Sequence, residues 1–176
     1  MIKTDLYKTY LAGQVTRYHS NPEFNKLGQT NADHTAGMLS LLYKLHDDPP
    51  NVLVKAIVYH DSPEFWGGDL SYSFKQAHPE LAERHEAVSK EMAYKDGLKV
   101  PTLIFANKNW LELVDRLESC LYAKTYRPDV FQEEDWLKLR HRCLVMAMDL
   151  GCYSDELALT LGLEPYERGR DLGRGH

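Results

Sequence analysis

The sequence predicts an all-α fold, a single compact bundle of about seven or eight helices occupying residues 1–166. Three observations predict it. Apolar residues recur at three- and four-residue spacing in nearly every segment. Alternating apolar and polar runs joined by hairpin turns are not evident. Breakers such as Pro49, Gly97 and Gly151 stand just past the ends of helix-length apolar patterns. A length of 176 residues suits one domain with one core. The apolar share of 43% and charged share of 27% are those of an ordinary globular chain, which sets disorder and fibre aside.

The first helix is expected to start with Thr4 or Asp5 as N-cap, to place Leu6, Tyr10 and Leu11 on one side, and to end in the polar loop from Ser20 to Gly28. A second follows Thr30 or Asn31 as cap, turns Ala32, Met38, Leu41, Leu42 and Leu45 toward the core, and stops before Pro49. Pro50 can open a third, because proline in the first helical position forfeits no hydrogen bond. Its apolar residues Val52, Val54, Ala56, Ile57 and Val58 lead to His60 and Asp61. The stretch from Pro63 to His78 is rich in Gly, Ser and aromatic residues and reads as a loop with a short helix, of a length often tied to function. Helices are then expected over 79–96, 106–126, 133–150 and 154–161. The segment 167–176 alternates Gly and Arg without an apolar face and reads as a flexible tail.

A formal charge of −5 disfavours a polymeric nucleic acid as partner, since that affinity needs an excess of Lys and Arg. A small phosphorylated substrate needs only local cations or a metal. Cys120, Cys143 and Cys152 form no CxxC pair and read as small apolar residues in a reducing compartment. No signal peptide or membrane span of roughly 20 apolar residues is evident, so a cytoplasmic location is expected, with no membrane partner.

Histidines and carboxylates gathered from separate helices are the donors that borderline divalent ions take. His34, the adjacent pair His60 and Asp61, and Asp115 fall on three different expected helices. Each alone is a weak signal: a lone His is more often a hydrogen-bonded core residue, and Asp115 can be a surface charge beside Arg116. The apolar neighbours Leu111, Val114 and Leu117 favour the inward reading of Asp115, because a carboxylate there would otherwise be buried unpartnered. Glu64, four residues after His60, projects over the same spot if the helix continues, where it can orient or deprotonate a water. On spacing alone it reads equally as an exposed acid after Pro63. Asp69 can accept from a sugar hydroxyl, Lys75 can neutralise phosphate, Arg17 offers a planar donor fork, and Tyr18 with His19 an aromatic surface for a base. By themselves these five are ordinary loop and helix-end residues.

Together these pieces resemble the HD-domain phosphohydrolases, in the branch of bacterial 5'-deoxynucleotidases and small phage dATP triphosphohydrolases. The resemblance rests on Arg17-Tyr18-His19, Gln29 to His34, His60-Asp61-Ser62-Pro63-Glu64 with Gly68-Asp69-Leu70 and Lys75, and Leu113 to Glu118. It spans residues 17 to 118 as the ordered pattern H…HDxxExxxGDLxxxxK…D. It implies His34, His60, Asp61 and Asp115 as ligands of a divalent ion (zinc, cobalt, manganese or iron), and Glu64 as the catalytic acid or base. Arg17 and Lys75 are implied at phosphate and Asp69 near the deoxyribose 3'-hydroxyl. The implied activity is hydrolysis of a deoxynucleotide between the 5'-oxygen and the α-phosphorus. dATP giving deoxyadenosine and triphosphate ranks first on the RYH and QT-x-A-x-H segments, and deoxynucleoside monophosphates are the alternative. The resemblance also implies a homo-oligomer, dimer or hexamer, in the host cytoplasm if the chain is phage-encoded. A nucleotide-binding HD module without turnover is the competing reading of another class.

Overall fold

The computed structural model describes residues 5–166, and among them the regular elements are all helical. The tail 167–176 and the candidate cap Thr4 lie outside the described residues. Helix α1 spans Asp5–Ala12 and ends well before Ser20, correcting its expected length. The chain turns at Gly13 and Gln14, whose N–H groups donate to Tyr10 and Leu11 carbonyls. It then runs antiparallel to residues 29–31, with the Arg17 N–H donating to Gln29 and the Asn31 N–H to Val15. Leu6 and Tyr10 face outward, and Ala12 is the buried residue of this short helix. Its outer position is fixed instead by an ion pair of 2.7 Å between Lys8 and Asp96.

Helix α2, Asn31–Leu45, starts on a capping box: the Thr30 hydroxyl accepts from the Asp33 N–H and the Asp33 carboxylate accepts from the Thr30 N–H. Asn31, His34, Met38 and Leu42 form its buried stripe, while Ala32 is exposed, correcting its core assignment. Helix α3, Asn51–Tyr59, has Pro50 as its cap, one position earlier than expected. It buries Leu53, Ala56 and Ile57, with Val52 and Val58 outward. Where one short helix is expected, two form: α4 at Glu64–Gly67 and α5 at Tyr72–Ala77. Helix α6, Pro79–Lys95, packs chiefly on these two. Gly67 makes that approach possible, since a Cβ there would stand 1.8 Å from the Ser89 hydroxyl of α6.

Helix α7, Phe105–Tyr126, runs through the middle of the molecule and borders two apolar clusters. Its Val114 joins Met38, Leu42, Leu53 and Ile57 between α2 and α3. Its Leu117, Cys120 and Ala123 join Phe24 and residues of α8, Glu134–Asp149, and α9, Asp155–Thr160. Cys120 and Cys143 are buried among these apolar side chains as free thiols. No helix among the described residues is long and apolar enough to cross a membrane.

Candidate metal centre

Three of the four expected ligands, His34, His60 and Asp61, form a group that could hold an ion, and Asp115 lies beside His34 but outside that group. His34 sits in the first turn of α2 and is fully buried; His60 is the residue that closes α3, with Asp61 next; Asp115 lies midway along α7. His34 Nε2 is 3.1 Å from Asp115 Oδ1 and 3.9 Å from Asp61 Oδ2, and His60 Nε2 is 3.2 Å from Asp61 Oδ2. One donor atom from each of His34, His60 and Asp61 lies within 4.8 Å of the others, a spacing that fits a single cation. The His60 Nδ1–H donates to the Ile57 carbonyl at 2.7 Å, which leaves the lone pair of the neutral ring on Nε2.

The polar atoms of this cluster are unusually poorly satisfied. The buried side-chain atoms with no hydrogen-bond partner among the described residues are Arg17 Nε, Gln29 Oε1, Asn31 Oδ1, His34 Nε2 and His60 Nε2. The two Nε2 atoms lie near carboxylate oxygens, but not in hydrogen-bonding alignment. Native interiors leave few polar groups in that state, and such a concentration marks a position that something else completes. The donor set and the two aimed imidazole nitrogens fit a divalent ion.

The buried charges of the cluster act on one another's protonation. For His60, burial disfavours the cation, but Asp61 outweighs it and the proton is held more tightly than on a free imidazole. For Asp61, burial favours protonation, and His60 and Arg17 override it, so the carboxylate stays ionised well below its usual range. Glu64 moves the other way: burial, with Asp61 and Asp69 nearby, raises it well above the ordinary carboxylate value. Two carboxyls a few residues apart are thus pushed in opposite directions, an arrangement that separates a ligand from a proton carrier.

Arg17, expected at phosphate, pairs with the Asp61 carboxylate and lies 3.9 Å from Asp115. Asp69 and Lys75 form an ion pair of 3.0 Å. Together with His60, Asp61 and Glu64 they line one end of a cavity of about 760 Å³ that extends between α6 and the start of α7 to Lys108. Arg17, Tyr18, His19, His34 and Asp115 are not among its lining residues. The Tyr18 ring packs against Phe24 and Tyr122 in the C-terminal cluster and its hydroxyl donates to Ser119, while His19 is exposed. Tyr18 takes a left-handed backbone, φ 56°, and the Arg17 guanidinium lies over its ring at 5.4 Å from the centroid.

Three participants carry no role from sequence reasoning. The Asn31 amide donates to the Asp61 carbonyl at 3.2 Å and to Glu64 at 3.3 Å, tying a ligand to the candidate proton carrier. Glu118 accepts from Gln29 at 2.6 Å and lies 2.5 Å from His34 Nδ1. Asn31 and Gln29 flank a helix cap, where polar residues are ordinary. Glu118 carries a readable signal, since it follows Asp115 by three positions and shares its helix face.

Comparison with protein-family models, curated proteins and solved structures returned no match to this chain.

Proposed function

We propose that this chain is a metal-dependent phosphohydrolase of the HD-domain kind, acting on deoxynucleotides between the 5'-oxygen and the α-phosphorus, with dATP as first substrate. The observation that supports the reading is the group of His34, His60 and Asp61, with Asp115 3.1 Å from His34 and two buried imidazole nitrogens aimed inward and unsatisfied. A divalent ion held there supplies a Lewis acid for phosphoryl oxygens and an activated water. Glu64, positioned by Asn31, takes the proton from the attacking water and returns it to the departing 5'-oxygen. The water oxygen thereby bonds to phosphorus as the phosphorus to 5'-oxygen bond breaks. Lys75 and Arg17 neutralise phosphate charge, and Asp69, fixed by Lys75, accepts from the 3'-hydroxyl. The choice of dATP rests on the RYH and QT-x-A-x-H segments alone.

One observation favours a monophosphate instead. Of the lysines lining the cavity, Lys75 is paired with Asp69 and Lys90 with Glu86, while Lys108 has no carboxylate partner among the described residues. A triphosphate calls for more unpaired cations than that. Metal analysis followed by incubation with each common dNTP and dNMP, and chromatography of the products, decides the matter. Tripolyphosphate from dATP supports the first reading and phosphate from a monophosphate the second. Metal-loaded protein that leaves every deoxynucleotide intact overturns both and leaves a binding module.

A further inference from the structure

We propose that Glu118 is the positioning carboxylate of this centre: it holds His34 with Nδ1 protonated and Nε2 turned to the ion, and Gln29 and Gly37 seat it there. The inference rests on the metal-site reading above but concerns a residue outside the ligand set.

Glu118 is 8% exposed, on the face of α7 that meets α2. A carboxylate withdrawn from water is costly unless its oxygens are matched. No lysine or arginine pairs with it among the described residues; its partners are His34 Nδ1 at 2.5 Å on one oxygen and the Gln29 amide at 2.6 Å on the other. An acceptor-only carboxylate against Nδ1 requires the proton on that nitrogen, so the lone pair of the neutral ring falls on Nε2, the atom near Asp61 and Asp115. His60 is keyed by the same logic through the neutral Ile57 carbonyl. The two imidazoles therefore present the same nitrogen inward, but only His34 has a carboxylate behind its Nδ1.

The surroundings are shaped around this carboxylate. Gly37 lies one turn beyond His34 on α2, and a Cβ there would stand 2.8 Å from Glu118 Cγ and 3.2 Å from Oε1. Glycine inside a helix costs about 1 kcal/mol relative to alanine, so its use here has a packing reason. Gln29 is 5% exposed, and its own Oε1 lacks a partner, so its amide is oriented by what Glu118 requires rather than by its own needs.

The test separates positioning from a plain tie between helices. In Glu118→Gln, the new side-chain oxygen still accepts from His34 Nδ1–H, and its amide can donate to a rotated Gln29, so shape is kept and charge is lost. The expected result is an affinity for Co(II) about 10- to 100-fold weaker, with the metal-free protein melting near the parent. Gly37→Ala, which displaces the carboxylate without altering it, is expected to weaken Co(II) similarly. In metal-free protein, ¹⁵N shifts of the His34 ring are expected to report Nδ1–H in the parent and a population of Nε2–H in Glu118→Ala. Parental Co(II) affinity in both the Gln and Gly37 variants, with an unchanged His34 tautomer in Glu118→Ala, would overturn the proposal. A parent that binds no Co(II) would instead refute the metal reading, and the metal-free ring shifts would still decide the role of Glu118.

Discussion

Arg17 and Arg140 are both withdrawn from water, and they are balanced in different ways. Arg140 is 3% exposed, donates to the Leu161 and Trp136 carbonyls and lies 4.3 Å from the centre of the Phe131 ring. Its partners are neutral and belong to the frame around α8 and α9. Arg17 stands against Asp61 and Asp115, two expected ligands, and its Nε has no partner. The difference teaches where to look for chemistry: a buried cation closed off by carbonyls is a fixture, whereas one held by carboxylates with a donor to spare occupies a site whose charge changes when it is filled.

The largest expected effect tests the site rather than the frame. Glu64→Ala should lower turnover by about 10²- to 10⁴-fold, the usual worth of a positioned proton carrier, with bound metal unchanged. Retained turnover would remove Glu64 from its assigned role. Next comes Arg17→Met, expected to lower kcat/KM by about 10²-fold when assayed on metal-loaded protein whose melting temperature stays near the parent. A large loss of stability without loss of rate would make Arg17 a second fixture and dissolve the contrast. Arg140→Met should do the opposite, costing about 2 kcal/mol by stranding the carbonyls it serves, read by denaturant midpoint, with Co(II) affinity intact. Metal loss at parental stability would refute that separation. The smallest effect is Thr30→Ala, which removes the cap of α2 and should cost about 1 kcal/mol; an unchanged midpoint would show that Asp33 caps alone.

How far the sequence alone leads differs from element to element. The all-helical architecture is legible because apolar spacing survives in every long helix, and α6 and α7 begin and end within a residue of expectation. Of the site, His34, His60 and Asp61 form a group that could hold an ion; each alone is a weak signal, and only their order along the chain makes them readable together. What escapes is whatever depends on two segments meeting. Leu6 and Tyr10 have helical spacing, but nothing in their own segment reveals that the bundle closes without them. Tyr18 reads as an aromatic beside a phosphate binder, and its packing between Arg17 and the rings of Phe24 and Tyr122 depends on α7, which its own segment does not reveal. Glu118 shares the helix face of Asp115, but its place against His34 emerges only where α2 is laid across α7 with Gly37 beside it.

At about 1.5 Å per residue, the 22 residues of α7 form a rod about 33 Å long. Along it lie Lys108 at the cavity, Asp115 and Glu118 beside His34, and Cys120 and Ala123 in the C-terminal cluster. Such a beam does not bend locally to absorb a misfit, so a flaw in the remote hydrophobic packing displaces the donors upstream. The distant apolar half of the molecule therefore acts as the foundation on which the alignment of the ligands is surveyed.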